Sequence, residues 1–111
     1  MHIEERKIDN VFIVTVLDER LDASIAYDFK GKMEEYIARG ERLIVLDVAG
    51  VDFIDSSGLG AIVASLKVLG GEGDIVICGA GEAVMRVFKL SRMDKVFRMC
   101  ESEDDAMDVL S

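Results

Sequence analysis

The sequence predicts an α/β domain in which a mixed sheet of four to five strands packs with about four helices. Two short apolar runs rich in β-branched residues, at positions 43–46 and 74–78, have the composition of strands covered on both faces. Segments with helical periodicity alternate with these runs, which favours parallel strands joined by helical crossovers. With 111 residues, half of them hydrophobic, the chain can build a substantial core, so we expect one domain over residues 1–111.

An antiparallel hairpin is predicted at the start of the chain. Residues 3–7 and 11–17 are strand candidates, and Asp9 and Asn10 between them are typical turn residues. A short turn joins antiparallel strands, whereas parallel strands need a longer crossover. The sheet is therefore expected to be antiparallel at its beginning and parallel later.

The first helix is predicted between residues 23 and 39. Asp22 or Ser24 is expected to cap its start, because a short side chain with an oxygen atom can accept a hydrogen bond from the first turn. Gly40 should end it. The apolar residues with helical spacing, which should face the core, are Ala26, Phe29, Met33, Tyr36 and Ile37.

The central stretch predicts a strand, an acidic turn and a second helix. After the strand at 43–46, Asp55, Ser56, Ser57 and Gly58 supply the residue types that cap a helix start. Helical periodicity follows at once. The residues expected on the inward face of this second helix are Leu59, Ile62, Val63, Leu66 and Leu69.

The other side of the second helix is unusually poor in charge. Lys67 is the only charged residue between Ser57 and Leu69. A surface helix normally exposes several charges, so this face either docks another molecule or is buried by the domain itself. The residues predicted on it are Ser57, Gly60, Ala61, Ala64, Ser65 and Val68.

The last third of the chain predicts a buried strand, a short helix, a brief strand and a final helix. The strand is expected at residues 74–78, with Cys78 as a core residue, and the short helix at 82–90. A strand at 95–100 precedes a helix that opens at Ser102. The inward residues are predicted to be Val84, Val87 and Phe88 in the short helix, and Ala106, Val109 and Leu110 in the final one.

Composition argues against several functions. The formal charge of −9 would repel nucleic acid and anionic membranes, so neither is an expected partner. No apolar run is long enough to span a bilayer, and the start of the chain lacks the features of a signal peptide, which predicts a cytoplasmic protein. The only histidine is His2, so a Ser-His-Asp or Cys-His centre is not expected, and we predict neither an enzyme nor a bound cofactor or metal.

The turn at residues 55–58 has two chemical interpretations. The start of a helix favours negative charge, because free N–H groups and the helix dipole point toward it. The turn could bind a free phosphate-bearing ligand, or a serine in it could itself be phosphorylated. Asp52, Asp55 and Asp22 disfavour a free anion.

These residues resemble a known family. Asp-Ser-Ser-Gly-Leu-Gly at positions 55–60, after the apolar stretch 43–54, is similar to the signature of bacterial anti-sigma factor antagonists, the family that defines the STAS domain. The resemblance covers essentially the whole chain, including Leu21 and Asp22 before the first helix. It implies a STAS-like fold for the domain predicted above.

The resemblance also implies a partner switch. In such proteins the unphosphorylated antagonist binds an anti-sigma factor that is also a serine kinase, which frees the sigma factor, and phosphorylation of the signature serine breaks the complex. In this sequence that serine is Ser56, a serine phosphatase would reset it, and the free protein is expected to be a monomer. The implied partner-binding residues are Asp22, Asp55, Ser57, Gly58, Leu59, Gly60, Ala61 and Ala64.

Alternatives remain at three points. Relatives often carry Gly-Glu or Gly-Arg before the Leu-Asp pair, whereas Asp18, Glu19 and Arg20 stand here. Ser56 and Asp22 could each serve only as a helix cap. Related domains also act as regulatory modules of larger proteins, so the rival function is a module that senses a nucleotide or small anion at Ser56 without covalent change.

Overall fold

The computed structural model describes residues 1–110 and contains seven strands and four α-helices within that range. In chain order these are β1 (Ile3–Ile8), β2 (Val11–Val16), β3 (Arg20–Leu21), α1 (Ala23–Ala38), β4 (Leu43–Asp47), β5 (Phe53–Ile54), α2 (Ser56–Leu69), β6 (Asp74–Cys78), α3 (Glu82–Leu90), β7 (Arg98–Cys100) and α4 (Glu103–Leu110). Short 3₁₀ turns cover Gly70–Glu72 and Met93–Lys95. No helix in the described range is long and apolar enough to cross a membrane.

Five strands form one mixed sheet in the order β1-β2-β4-β6-β7, which confirms the predicted fold class. β1 and β2 are antiparallel, with Ile3 opposite Val16 and Ile8 opposite Val11. Asp9 turns the chain between them with φ of 56°, a left-handed conformation that Asp tolerates better than most residues. The pairs β2–β4, β4–β6 and β6–β7 are all parallel, as predicted for the later strands.

The sheet is covered on both faces because side chains alternate along each strand. α1, α2 and α3 pack on one face, and α4 packs on the other. The first face holds the larger cluster, which from the strands includes Phe12, Val14, Val16, Ile44, Leu46, Ile75 and Ile77. The second holds Val11, Ile13, Val45, Val76, Cys78 and Ala106, so the core position predicted for Cys78 is confirmed.

The first helix follows the prediction closely. α1 buries the five residues named from their spacing, which are Ala26, Phe29, Met33, Tyr36 and Ile37. Asp22 is the N-cap and accepts a hydrogen bond from the Ser24 N–H at 3.0 Å. Gly40 follows the helix with φ of 103°, a conformation that favours glycine.

The end of the chain differs in two details from the prediction. The strand expected from residue 95 begins only at Arg98, because Met93–Lys95 forms a 3₁₀ turn. Val109 is exposed, not packed inward. Ala106, Met107 and Leu110 share one side of α4 at helical spacing, and this side faces the sheet.

Candidate functional site

The carboxylate of Asp55 accepts hydrogen bonds at the starts of two helices. Its Oδ1 accepts a hydrogen bond from the Gly58 N–H at 2.9 Å, which caps α2. Its Oδ2 accepts one from the Ala23 N–H at 3.1 Å, in the first turn of α1. One carboxylate therefore satisfies free N–H groups of both helices, and the negative charge lies where both helix dipoles favour it.

Asp22, the N-cap of α1, lies at the helix start that Asp55 also binds. Besides the Ser24 N–H, it accepts hydrogen bonds from the Ser24 hydroxyl at 2.5 Å and from Arg20 Nε at 3.1 Å. These bonds, that of the Ser24 hydroxyl above all, lower the pKa of Asp22 below its ordinary value. The Arg20 guanidinium also stacks on the Phe53 ring, 4.1 Å from its centroid.

A two-stranded parallel ribbon that the sequence did not predict brings the two aspartates together. β3 pairs with β5, with Arg20 opposite Phe53 and Leu21 opposite Ile54. Asp22 and Asp55 are the next residues of the two strands. The sequence holds a signal for this pairing, because Leu-Asp at 21–22 and Ile-Asp at 54–55 each place a buried residue before a helix cap.

Ser56 is the first residue of α2 and is exposed. Its side chain makes no hydrogen bond to any residue in the described range, and Asp55 is the N-cap. The alternative in which Ser56 serves only as the helix cap is therefore wrong. Ser57 is also exposed, whereas Ser65 is fully buried and donates its hydroxyl hydrogen bond to the Ala61 carbonyl at 2.8 Å.

The burial of α2 confirms part of the predicted inward face and corrects the outward one. Leu59, Ile62 and Leu69 are buried, and Val63 and Leu66 are half-buried against the core. Ala61 and Ser65, predicted to face outward, are buried instead. α1 packs along this side of α2, so the domain itself covers part of the charge-poor face.

Gly58 is buried where α2 crosses β3. A Cβ atom at this position would lie 2.0 Å from the Leu21 carbonyl oxygen, so only glycine allows this approach. Three of the residues predicted to contact a partner are buried within the domain, namely Gly58, Leu59 and Ala61. On the predicted outward face, Ser57, Gly60 and Val68 are exposed and Ala64 is half-buried, and the exposed Ser56 lies beside Ser57 at the helix start.

Two open grooves flank the part of this surface nearest the helix start, which we call the α2 ridge (Ser56, Ser57, Gly60, Ala64). The first, about 410 Å³, separates the ridge from the end of α3 and is lined by Leu59, Val63, Lys67, Ser91 and Met93. The second, about 400 Å³, separates it from α1 and is lined by Ala23, Ala26, Tyr27, Lys30 and Ala61. Tyr27 is 86% exposed. The small ridge residues leave backbone and shallow apolar surface open to a large partner.

Comparison with known proteins identifies the family. The sequence profile of the STAS domain matches residues 2–106, so the chain belongs to the STAS domain family. It is similar to the anti-sigma F factor antagonist of Paenibacillus polymyxa, with 30% identity over 109 residues, 96% of this chain and 92% of the relative. The anti-sigma-B factor antagonist of Listeria monocytogenes is 24% identical over 106 residues, 95% of this chain and 91% of that protein.

A solved structure agrees with this assignment. The crystal structure of an anti-sigma factor antagonist from Mycobacterium paratuberculosis superposes with a TM-score of 0.89 at 26% identity, covering 97% of this chain and 92% of that one. The resemblance noted from the sequence is thus confirmed for family and fold.

Proposed function

We propose that this protein is an anti-sigma factor antagonist that acts by partner switching in the cytoplasm, as one STAS domain over residues 1–111. Its unphosphorylated form binds an anti-sigma factor with serine kinase activity and so releases the sigma factor. Phosphorylation of Ser56 ends that binding, and a serine phosphatase restores it. The protein acts by binding and not as an enzyme, and it is a monomer when free.

The observation that carries this proposal is the free hydroxyl of Ser56 at the end of the α2 ridge. Asp55 holds the capping position, so phosphorylation of Ser56 removes no hydrogen bond from the fold. Added phosphate carries about 1.5 to 2 negative charges and three acceptor oxygens. On a ridge of small, uncharged side chains, this group would block contact by bulk and by charge without refolding the domain.

The aspartates near Ser56 support covalent modification over binding of a free anion. The Gly58 and Ala23 N–H groups, which could otherwise hold an anion at the two helix starts, already donate to Asp55. Asp55 and Asp22 also place two carboxylates beside the site. We propose that Asp22 contacts the kinase as well as capping α1. It lies at the helix start that Asp55 also binds, and the side chain of its ion-pair partner Arg20 is exposed there.

Substitution at Ser56 tests the proposal. After incubation with the cognate kinase and ATP, intact mass should show one added phosphate on the unaltered protein and on Ser57→Ala, and none on Ser56→Ala. Ser56→Ala should bind the anti-sigma factor as the unaltered protein does. Ser56→Glu should weaken binding at least tenfold, a loss of about 1.4 kcal/mol.

Two outcomes would contradict the proposal. Phosphate found on Ser57 in the unaltered protein would move the modified site. An unchanged mass together with nucleotide-induced NMR shifts around Ser56 would favour the rival function, a module that senses a nucleotide or small anion without covalent change.

A further inference from the structure

Basic side chains are concentrated in one stretch of this acidic protein. Five of the thirteen basic residues fall between positions 86 and 98, and Asp94 is the only carboxylate among them. This stretch therefore has a formal charge of +4 in a chain of −9. All five are exposed, and they recur at every third position as Arg86, Lys89, Arg92, Lys95 and Arg98.

Most of these cations lack a carboxylate partner. Within residues 1–110, Arg86 forms an ion pair with Glu82 at 3.6 Å, and the other four form none. Elsewhere in the same range the acidic surface neutralises several cations directly, as in the ion pairs of Arg6, Lys7, Arg20 and Arg42. The unpaired group therefore produces a local positive potential on an otherwise negative molecule.

An open groove of about 650 Å³ lies among these cations. It is formed by α3, the segment that leads into β7, and the start of β6. Lys89, Lys95 and Arg98 supply its positive charge. Met85, Val96 and Met99 supply its apolar lining, and Val96 is 51% exposed.

The apolar character continues over α3. A second depression of about 320 Å³ is lined by Met85, Leu90, Lys89 and the ion pair of Glu82 with Arg86, and Leu90 is 80% exposed. β7 is at the edge of the sheet, and no strand of the described chain lies beyond it. Exposed apolar side chains with a polar rim mark interaction sites, and methionine and arginine are enriched at protein interfaces.

We propose that this surface, the basic groove (Met85, Lys89, Lys95, Val96, Arg98 and Met99), binds an acidic segment of a partner polypeptide whose carboxylates are interspersed with apolar side chains. The carboxylates would pair with the free cations and the apolar side chains would cover the methionines and Val96. Asp74 and Asp94 also line the groove and would repel a uniform polyanion. A polypeptide of mixed character therefore fits better than nucleic acid or an anionic membrane. The surface does not involve Ser56.

Selection from a random peptide library against the immobilised full-length protein tests the proposal. The selected peptides should be enriched in Asp and Glu with Leu, Ile, Met or Phe between them. The changes that these peptides cause in the amide NMR shifts of the protein should map to residues 85–99. Lys89→Glu with Lys95→Glu should weaken their binding at least tenfold.

The matched control is Lys7→Glu with Lys32→Glu, which makes the same charge change on β1 and α1 and should leave peptide affinity within twofold. Thermal melts of all variants exclude loss of folding as the cause. Peptides without acidic enrichment, or equal binding to both double variants, would overturn the proposal. So would tighter binding of a single-stranded RNA or of phosphatidylglycerol vesicles at residues 85–99.

Discussion

Gly58 shows how one residue sets the distance between two elements. Its backbone lies so close to the Leu21 carbonyl oxygen that a Cβ would come within 2.0 Å of it. Gly60, two residues later on the same helix, has no atom within 4 Å of an added Cβ. Packing therefore requires glycine at position 58. At position 60 it does not, and the missing side chain there leaves the backbone of the α2 ridge exposed.

Gly58→Ala is predicted to destabilise the protein by about 3 kcal/mol, because backbone must move to accept the methyl group. Gly60→Ala should instead leave stability unchanged or raise it by up to about 1 kcal/mol, since alanine has the higher helix propensity. Urea unfolding followed by circular dichroism measures both. Equal effects of the two substitutions would show that the contact with Leu21 does not limit position 58.

At the scale of elements, the ribbon of β3 and β5 determines where the two capped helices begin. Each of its strands ends at an aspartate, and both aspartates sit at helix starts. Because Asp55 bonds to N–H groups of α1 and α2 together, it couples the positions of the two helices that border the α2 ridge. The geometry around Ser56 therefore depends on a carboxylate one residue before it.

Asp55→Ala is expected to cost about 2 kcal/mol, roughly twice the effect of losing a single cap. Ser102→Ala provides the comparison, since within residues 1–110 Ser102 Oγ accepts a hydrogen bond from the Asp105 N–H alone, at 3.1 Å, and its loss should cost about 1 kcal/mol. Asp55→Asn should fall between the unaltered protein and Asp55→Ala. Unfolding free energies in urea give all three values. The double role of Asp55 would be refuted by costs that match for the two alanine variants.

Across the whole molecule, an ionic cluster joins α4 to the sheet. Arg6 of β1 donates to Glu103, the first residue of α4, at 2.5 Å. Asp47, at the end of β4, lies near enough to Glu103 that the two carboxyl groups influence each other's ionisation. Burial, followed by the interaction with Glu103, raises the pKa of Asp47 to about 6, and the interactions with Asp47 and then Arg6 lower the pKa of Glu103.

A raised pKa in the folded state means that the fold prefers protonated Asp47. Its stabilising effect is complete below pH about 4, near the ordinary pKa of 3.8, and is lost as pH rises through about 6. Asp47→Asn cannot ionise and keeps an acceptor for the Ala49 N–H. As pH rises from 4 to 7.5, the free energy of unfolding of Asp47→Asn should increase by about 1 kcal/mol relative to that of the unaltered protein, after allowance for solvent screening.

Urea unfolding at several pH values measures this gain, and Glu103→Gln is the opposite control. Because the pKa of Glu103 is lowered in the fold, its stabilising effect is present above about pH 4.5 and is lost as pH falls. Glu103→Gln should therefore lose stability at pH 7.5. A difference between Asp47→Asn and the unaltered protein that is constant with pH would contradict the assignment.

Local sequence signals were enough to predict several elements of the fold. Periodicity at two and at 3.6 residues placed the hairpin, the buried strands and α1 with its five core residues, because such patterns report which side of an element meets water. Cap chemistry located the start of α2, and the resemblance at residues 55–60 indicated the family. These inferences needed no knowledge of what packs where.

The exposed part of α2 could not be predicted from local signals, because it depends on how the helices pack. Ala61 and Ser65 have the same small, uncharged character as Gly60 and Ala64, but the first two are buried in the domain, whereas Gly60 is exposed and Ala64 is half-buried. The basic groove likewise needs α3, β6 and β7 to meet before separate cations surround one apolar lining. The sequence shows that a helix face lacks charge or that a chain is acidic. Only the distances between elements far apart in sequence determine which residues share a surface.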